Sequence, residues 1–315
     1  MLKFKKILPA LTAAALLLTG CVNQHPDASA SGSAPEGSET GEQRIIATSW
    51  STQTICEKLD LDLIATNKTE EPLDRYKGLP EVGTAMAPDT EAIALLDPTD
   101  VIGPDTLAEN IQPAYEAAGV PYTFIDLQSV EGMYDSIAML GEKYDRKAQA
   151  DALIAEYRQT MDDFNKSIEG KEHPKVLVLM GLPGSYIECT PNSYVGSLVE
   201  LAGAQNVAQD DFLNFVSWNT EELLKLDPDV ILLTAHGMPD MAMDMFAEEF
   251  ASNDIWQHFR AVQEGRVYQL DYNTFNMSCG FDWPDALNIL KGLLYEDAGQ
   301  TFQGAAAGNV SQPAA

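Results

Sequence analysis

Two ten-residue stretches of this 315-residue chain repeat one another. They are Asp89-Thr90-Glu91-Ala92-Ile93-Ala94-Leu95-Leu96-Asp97-Pro98 and Asn219-Thr220-Glu221-Glu222-Leu223-Leu224-Lys225-Leu226-Asp227-Pro228. Both read Asp or Asn, Thr, Glu, a variable residue, Ile or Leu, two variable residues, then Leu-Asp-Pro. Asp89 and Asn219 are N-cap residues, whose side chains accept a free backbone N–H of the first helical turn. The glutamates stand in that turn, against the positive end of the helix dipole. Asp-Pro stops the helix, because the residue before proline is pushed out of helical geometry. A hydrophobic strand follows each copy. One helix-to-strand unit built twice, 130 positions apart, predicts two α/β lobes of like construction.

The rest of the chain fits that division. Arg44 to Thr48, Leu61 to Thr66, Asp100 to Gly103 and Tyr122 to Asp126 read as strands, with helical segments such as Thr90 to Leu96 and Thr106 to Ala118 between them. A second set follows at Lys175 to Gly181, Tyr186 to Thr190, Asp229 to Ala235 and Val267 to Asp271. Alternating strands and helices build parallel sheets covered on both faces. Between the sets, Ser129 to Gly170 carries no strand signal. Ile154, Tyr157, Met161, Phe164 and Ile168 are spaced 3, 4, 3, 4, as one face of an amphipathic helix requires. That helix, Arg146 to Ile168, spans ~35 Å at the usual rise, and a second precedes it from Val130 to about Tyr144. The expected architecture is two Rossmann-like α/β lobes, 44–128 and 171–297, joined through connecting helices at 129–170 of which one is long. The ligand cleft lies between the lobes.

The ends read differently. Lys3, Lys5 and Lys6 precede a short apolar run and then Leu18-Thr19-Gly20-Cys21, the pattern of a bacterial lipoprotein signal cleaved before Cys21, which then carries lipid. Residues 1–20 are thus expected as signal peptide and 21–43, rich in Ser, Gly, Ala and Glu, as a flexible tether. His25 is incidental to it. The Ala/Gly/Gln-rich residues 298–315 are expected as a disordered tail. A formal charge of −29 repels phosphate backbones and excludes a nucleic-acid partner, so membrane contact is through the lipid alone. Cys56, Cys189 and Cys279 form no Cys-x-x-Cys motif, and small buried residues are their plainest role, with a disulfide left open.

The chain has only four histidines. One of them, His236, ends the strand-like run Ile231-Leu232-Leu233-Thr234-Ala235 and is followed by Gly237-Met238-Pro239. In open α/β sheets ligands bind beyond the carboxyl ends of strands, so a ligand role and a structural role both suit it. Met86 lies just before the Asp89 cap, at the corresponding edge of the other lobe. His173, before a proline at a strand start, and His258, in a helical run, read as structural.

These features together resemble the helix-linked substrate-binding lipoproteins of ABC importers, which carry siderophores, corrinoids and haem. Arg75 to Asp89, Lys175 to Tyr186 and Ala235 to Trp256 are more narrowly similar to the haem-binding, IsdE-type lipoproteins of Gram-positive haem-uptake systems. The resemblance covers about Arg44 to Glu296. It implies haem as the transported ligand, its iron held axially by Met86 from one lobe and His236 from the other, for iron acquisition. Met238 and Met277 are the rival sulfur ligands. Imidazole and thioether are an established axial pair for haem iron.

The resemblance also implies an ABC permease as partner, docked by Glu91 and Glu221, one acidic knob per lobe; as first-turn charges both also stabilise their helices. Ser49, Trp50 and Thr52 begin a helix whose free N–H groups suit a haem propionate, or form an ordinary cap. The expected protein is a monomer on the outer face of the cytoplasmic membrane, supplied in some settings by upstream surface haem-binding proteins. A siderophore or corrinoid receptor is the alternative. A hydrolase using Ser185 lacks a Gly-x-Ser-x-Gly elbow, so no enzymatic activity is expected. A carrier of bare zinc or manganese lacks a histidine cluster.

Overall fold

Alternating residues of each central strand enter different cores, and this organises the fold. The computed structural model describes residues 43–70, 72–296 and 299–305. The signal peptide, Cys21, nearly all of the tether and residues 306–315 lie outside the described residues.

The N-terminal lobe runs β1 (Ile45–Ala47), α1 (Trp50–Lys58), β2 (Leu63–Thr66), a hairpin of β3 (Gly83–Thr84) and β4 (Ala87–Pro88), α2 (Thr90–Leu95), β5 (Asp100–Pro104), α3 (Ala108–Ala118) and β6 (Tyr122–Ile125). Its sheet is parallel, in the order β2-β1-β5-β6. Two antiparallel helices follow, α4 (Val130–Lys143) and α5 (Lys147–Ser167). The C-terminal lobe has β7 (Lys175–Leu182), β8 (Ser185–Cys189), α6 (Tyr194–Leu201), β9 (Gln205–Asn206), β10 (Phe215–Val216), α7 (Thr220–Leu226), β11 (Val230–Ala235), α8 (Pro239–Ser252), α9 (Arg260–Gln263), β12 (Val267–Gln269) and α10 (Trp283–Tyr295). Its order is β10-β8-β7-β11-β12, with β9 also on β7. β7, β11 and β12 are parallel, and β8 folds back antiparallel.

Ile45 and Ala47 face one core and Ile46 the other; likewise Val176 and Val178 oppose Leu177 and Leu179, and Val230 and Leu232 oppose Ile231 and Leu233. Period-two alternation with both faces apolar is what a helix-covered parallel sheet demands. One of these cores runs unbroken through both lobes, by way of Met133, Ile137 and Leu140 of α4, Leu198 of α6 and Leu287 of α10. The connection between lobes is therefore packed. Tyr134 stacks on Tyr157 at 4.4 Å, and the Trp283 indole donates to the Tyr134 hydroxyl at 3.2 Å. α5 is ~31 Å long by its 21 residues.

The sequence repeat is a structural repeat. Asp89 caps α2 by accepting the Ala92 N–H at 3.0 Å, and Asn219 caps α7 by accepting the Glu222 N–H at 2.9 Å. Asp97 and Asp227 leave their helices at φ 45° and 47°, the left-handed conformation that aspartate tolerates better than most residues.

One expectation is corrected. Residues 299–305 are ordered: the Phe302 N–H donates to Val267 O at 2.7 Å, Thr301 bridges to Tyr268, and Ala305 is buried against the core containing Phe246. Phe302 supplies the apolar anchor, packing on Phe250, that composition alone hid.

Candidate functional site

Strand order locates the cleft. In the N-terminal lobe the chain moves outward from β1 to β2 on one side and from β5 to β6 on the other. The crevice of such a sheet opens where the order reverses, beyond the carboxyl ends of β1 and β5. The corresponding reversal in the C-terminal lobe lies between β7 and β11. His236 is the residue immediately after β11, and its backbone N–H donates to Gly181 O of β7 at 2.9 Å. It thus stands at the switch point itself, with its side chain exposed.

The turn after it is tight. Gly237 has φ +72° and Met238 φ 43°, and Pro239 opens α8. Proline suits a first helical position, where its missing N–H costs nothing. A Cβ at Gly181 would come within 2.7 Å of the Ala242 Cβ, so only glycine there lets α8 lie this close over β7. Among the described histidines, His236 alone stands at the carboxyl ends of the strands. His173 precedes β7 and its ring bonds to Gly203 O. His258 ends a 3-10 helix two residues before Arg260, which pairs with Asp229 at the opposite, amino end of β11.

Met86 occupies the two-residue tip of the β3–β4 hairpin with Ala85, and it is 66% exposed. The hairpin is held to the sheet: Lys68 N–H donates to Gly83 O at 2.6 Å, and Val82 N–H to Thr66 O at 2.9 Å. Gly83 has φ +86°, and a Cβ there would lie 2.5 Å from Ala87 O. Met86 and His236 are each exposed on their own lobe. The rivals separate. Met277 is packed against the core shared by the lobes, whereas Met238 is 62% exposed beside His236.

The α1 terminus sits at the N-terminal lobe's switch point. Ser49 and Thr52 form a capping box: Ser49 Oγ accepts the Thr52 N–H at 3.2 Å, and Thr52 Oγ1 accepts the Ser49 N–H at 3.0 Å. Both side chains are thereby spent on each other, and Thr52 is buried. The N–H groups left without an acceptor among the described residues are those of Trp50 and Ser51. Trp50 is 45% exposed. The cap expected at Ser49 and Thr52 is present, and the free N–H groups expected at this helix start are those of Trp50 and Ser51.

A polar chain crosses between the lobes on the cleft side. Gln128 Nε2 donates to Asp105 Oδ2 at 2.9 Å, and its Oε1 accepts from Asn214 Nδ2. Burial raises the Asp105 carboxyl above its ordinary range, and its Oδ1 has no partner. Sequence reading missed this link, since three scattered polar residues carry no pattern.

Glu91 and Glu221 are exposed in the first turns of α2 and α7, and neither joins an ion pair among the described residues. Glu222, not Glu221, completes the α7 capping box. Cys56, Cys189 and Cys279 are free and buried, and burial pushes Cys56 and Cys189 up to about 12. Among the described residues no group of three or more His, Cys, Asp or Glu is placed to hold a metal ion, and no helix is long and apolar enough to cross a membrane.

The periplasmic binding protein family matches residues 45–274. The chain belongs to that family. This periplasmic binding protein is 38% identical over 296 residues to the high-affinity heme uptake system protein IsdE of Staphylococcus aureus (strain bovine RF122 / ET3-1), covering 93% of this chain and 98% of the relative. Among solved structures it resembles an ABC transporter substrate-binding protein from Listeria monocytogenes EGD-e, with 39% identity and a TM-score of 0.77. It also resembles S. aureus IsdE complexed with heme, with 40% identity and a TM-score of 0.75. Each match covers 81% of this binding protein and all of the solved chain. The two-lobed, helix-linked architecture of this periplasmic binding protein is thus that of its family's helix-linked class.

Proposed function

We propose that this chain binds haem between its lobes, with His236 and Met86 as the axial ligands, and hands it to an ABC permease. The observation that carries this reading is the placement of His236, the one described histidine at the strand carboxyl ends, at the switch point of its lobe. The heme-bound relative supports haem as the ligand class. Met86 supports it from the other side, exposed on a hairpin that Gly83 and Lys68 hold to the sheet. Trp50 and Met238 add exposed apolar surface beside the two strand ends, which a flat macrocycle would cover. The Trp50 and Ser51 N–H groups, at the positive end of α1, suit a propionate.

Cys21 carries the lipid that holds the protein at the outer face of the cytoplasmic membrane. Glu91 and Glu221 dock on basic residues of the permease, a role supported by their exposure and by their joining no ion pair among the described residues. A neutral imidazole is the ligand.

The test is the absorption spectrum of the protein with added haemin. Wild type should give a Soret band of low-spin, six-coordinate iron. His236→Ala should weaken haem binding more than Met86→Ala, since imidazole is the stronger donor, and both should shift the Soret and charge-transfer bands. His173→Ala and His258→Ala should leave the spectrum unchanged. A His236→Ala protein with the wild-type spectrum would remove His236 from the site, and a wild-type protein without a Soret band would point to a siderophore or corrinoid.

A further inference from the structure

A groove whose lining includes neither His236 nor Met86 opens along α8 on the C-terminal lobe. One wall is α8, which presents Asp244, Met245 and Glu248 along a single stripe at i, i+1 and i+4. The other wall is aromatic: Tyr186 from the start of β8, and Trp218 from the segment leading into α7. Glu249 closes one end, its carboxylate accepting from the Asn253 side chain and the Trp256 indole, each at 2.9 Å. Asp244 and Glu248 are exposed and pair with no cation among the described residues.

Next to the aromatic wall, but not lining the groove, is a buried carboxyl group. Glu188 stands two residues along β8 from Tyr186, so both point to the same face of the strand. It is fully buried; its Oε2 accepts the Trp218 N–H at 3.0 Å, and its Oε1 has no donor. Among the described residues, no Lys, Arg or His lines the groove. Elsewhere on the lobe surface carboxylates find cations, as Asp227 and Asp229 do in Arg260. The chain has 19 Lys and Arg against 48 Asp and Glu, and no cation among the described residues reaches this place.

We infer that the groove is a docking site for a basic side chain, arginine before lysine, of a partner protein. A guanidinium is planar: its face stacks on Trp218 or Tyr186 while its edge donates to Asp244 and Glu248. An ammonium matches the charge but not the stacking. The groove runs to Trp218, three residues before the exposed Glu221 on α7, so a partner segment with two basic residues meets both places. A free cation meets only one, and linked contacts strengthen each other through effective concentration. The site holds neither proposed iron ligand, so it works in the haem-free protein and stands or falls apart from the haem reading.

The test uses the haem-free chain with methyl-labelled methionine and 15N-labelled tryptophan, observed by NMR at constant ionic strength. Three probes are titrated: a blocked peptide Gly-Arg-Gly-Gly-Arg-Gly, the same peptide with citrulline for arginine, and arginine amide. The arginine peptide should give saturable shifts at the Trp218 indole N–H and the Met245 methyl. The citrulline peptide should bind about tenfold more weakly, as should the arginine peptide to an Asp244→Asn/Glu248→Gln protein. Those two near-isosteric surface changes should leave the circular dichroism intact. The proposal is overturned if the arginine peptide gives no saturable shift, or if the double variant or the citrulline peptide binds as well as wild type with arginine. Arginine amide binding as tightly as the peptide would overturn docking in favour of a small-cation site.

Discussion

Replacing Glu188 by Gln tests how burial acts on this fold. Glu188 is 0% exposed on β8, with one oxygen on the Trp218 N–H and the other unpaired. Burial raises its pKa from 4.5 to about 7, outweighing the N–H groups that favour the carboxylate. In the unfolded chain the same group loses its proton near 4.5. Between these values the native state holds a proton that the unfolded state has released, so stability falls as pH rises. The contribution is fully present below 4.5, declines through about 7, and is gone above it. At about 1.36 kcal/mol per unit, the interval corresponds to about 3 kcal/mol. Glutamine cannot ionise. The unfolding free energy of wild type minus that of Glu188→Gln should therefore fall by about 3 kcal/mol between pH 4.5 and 8. Urea unfolding followed by far-UV circular dichroism at five or so pH values measures it. Taking the difference removes Asp105 and Asp282, whose carboxyls burial also raises. A difference that stays level across the range, or rises with pH, would refute the argument.

Gly83→Ala should destabilise the protein by about 1–3 kcal/mol in urea, because its Cβ meets Ala87 O in a left-handed conformation, and should disturb the Soret band by displacing Met86. Reversing both Glu91 and Glu221 to Lys should leave haemin titrations unchanged while cutting cellular haem uptake by on the order of tenfold or more; undiminished uptake would reduce them to helix-end charges. Cys21→Ala should abolish partition into detergent, and a variant that still partitions like wild type would end the lipid-anchor proposal.

What the sequence determined by itself was local in origin. Asp89 and Asn219 cap, Asp97-Pro98 and Asp227-Pro228 stop, and the unbroken apolar run Val176 to Met180 reads as a strand covered on both faces; each depends on neighbours a few residues away. The place of His236 was legible for the same reason, since the end of a strand is visible in its own run of apolar residues, whereas Met86, in the other lobe, was singled out by the resemblance alone. The tertiary structure decided what depends on distant partners. The β3–β4 hairpin that lifts Met86 is too short to leave a periodic signal, and its place is set by Thr66 and Lys68. The pairing of the Ser49 and Thr52 side chains leaves Trp50 and Ser51 as the residues whose N–H groups stay free at the start of α1. Gln128 joins Asp105 to Asn214 across 109 positions of sequence, and Phe302 turns an unremarkable tail into part of the core. Glu188 reads as one polar residue in a strand; only the packing of β7, β10 and Trp218 around it removes its water and holds its proton. Desolvation is a property of everything that surrounds a group, and a linear pattern records only what precedes and follows it.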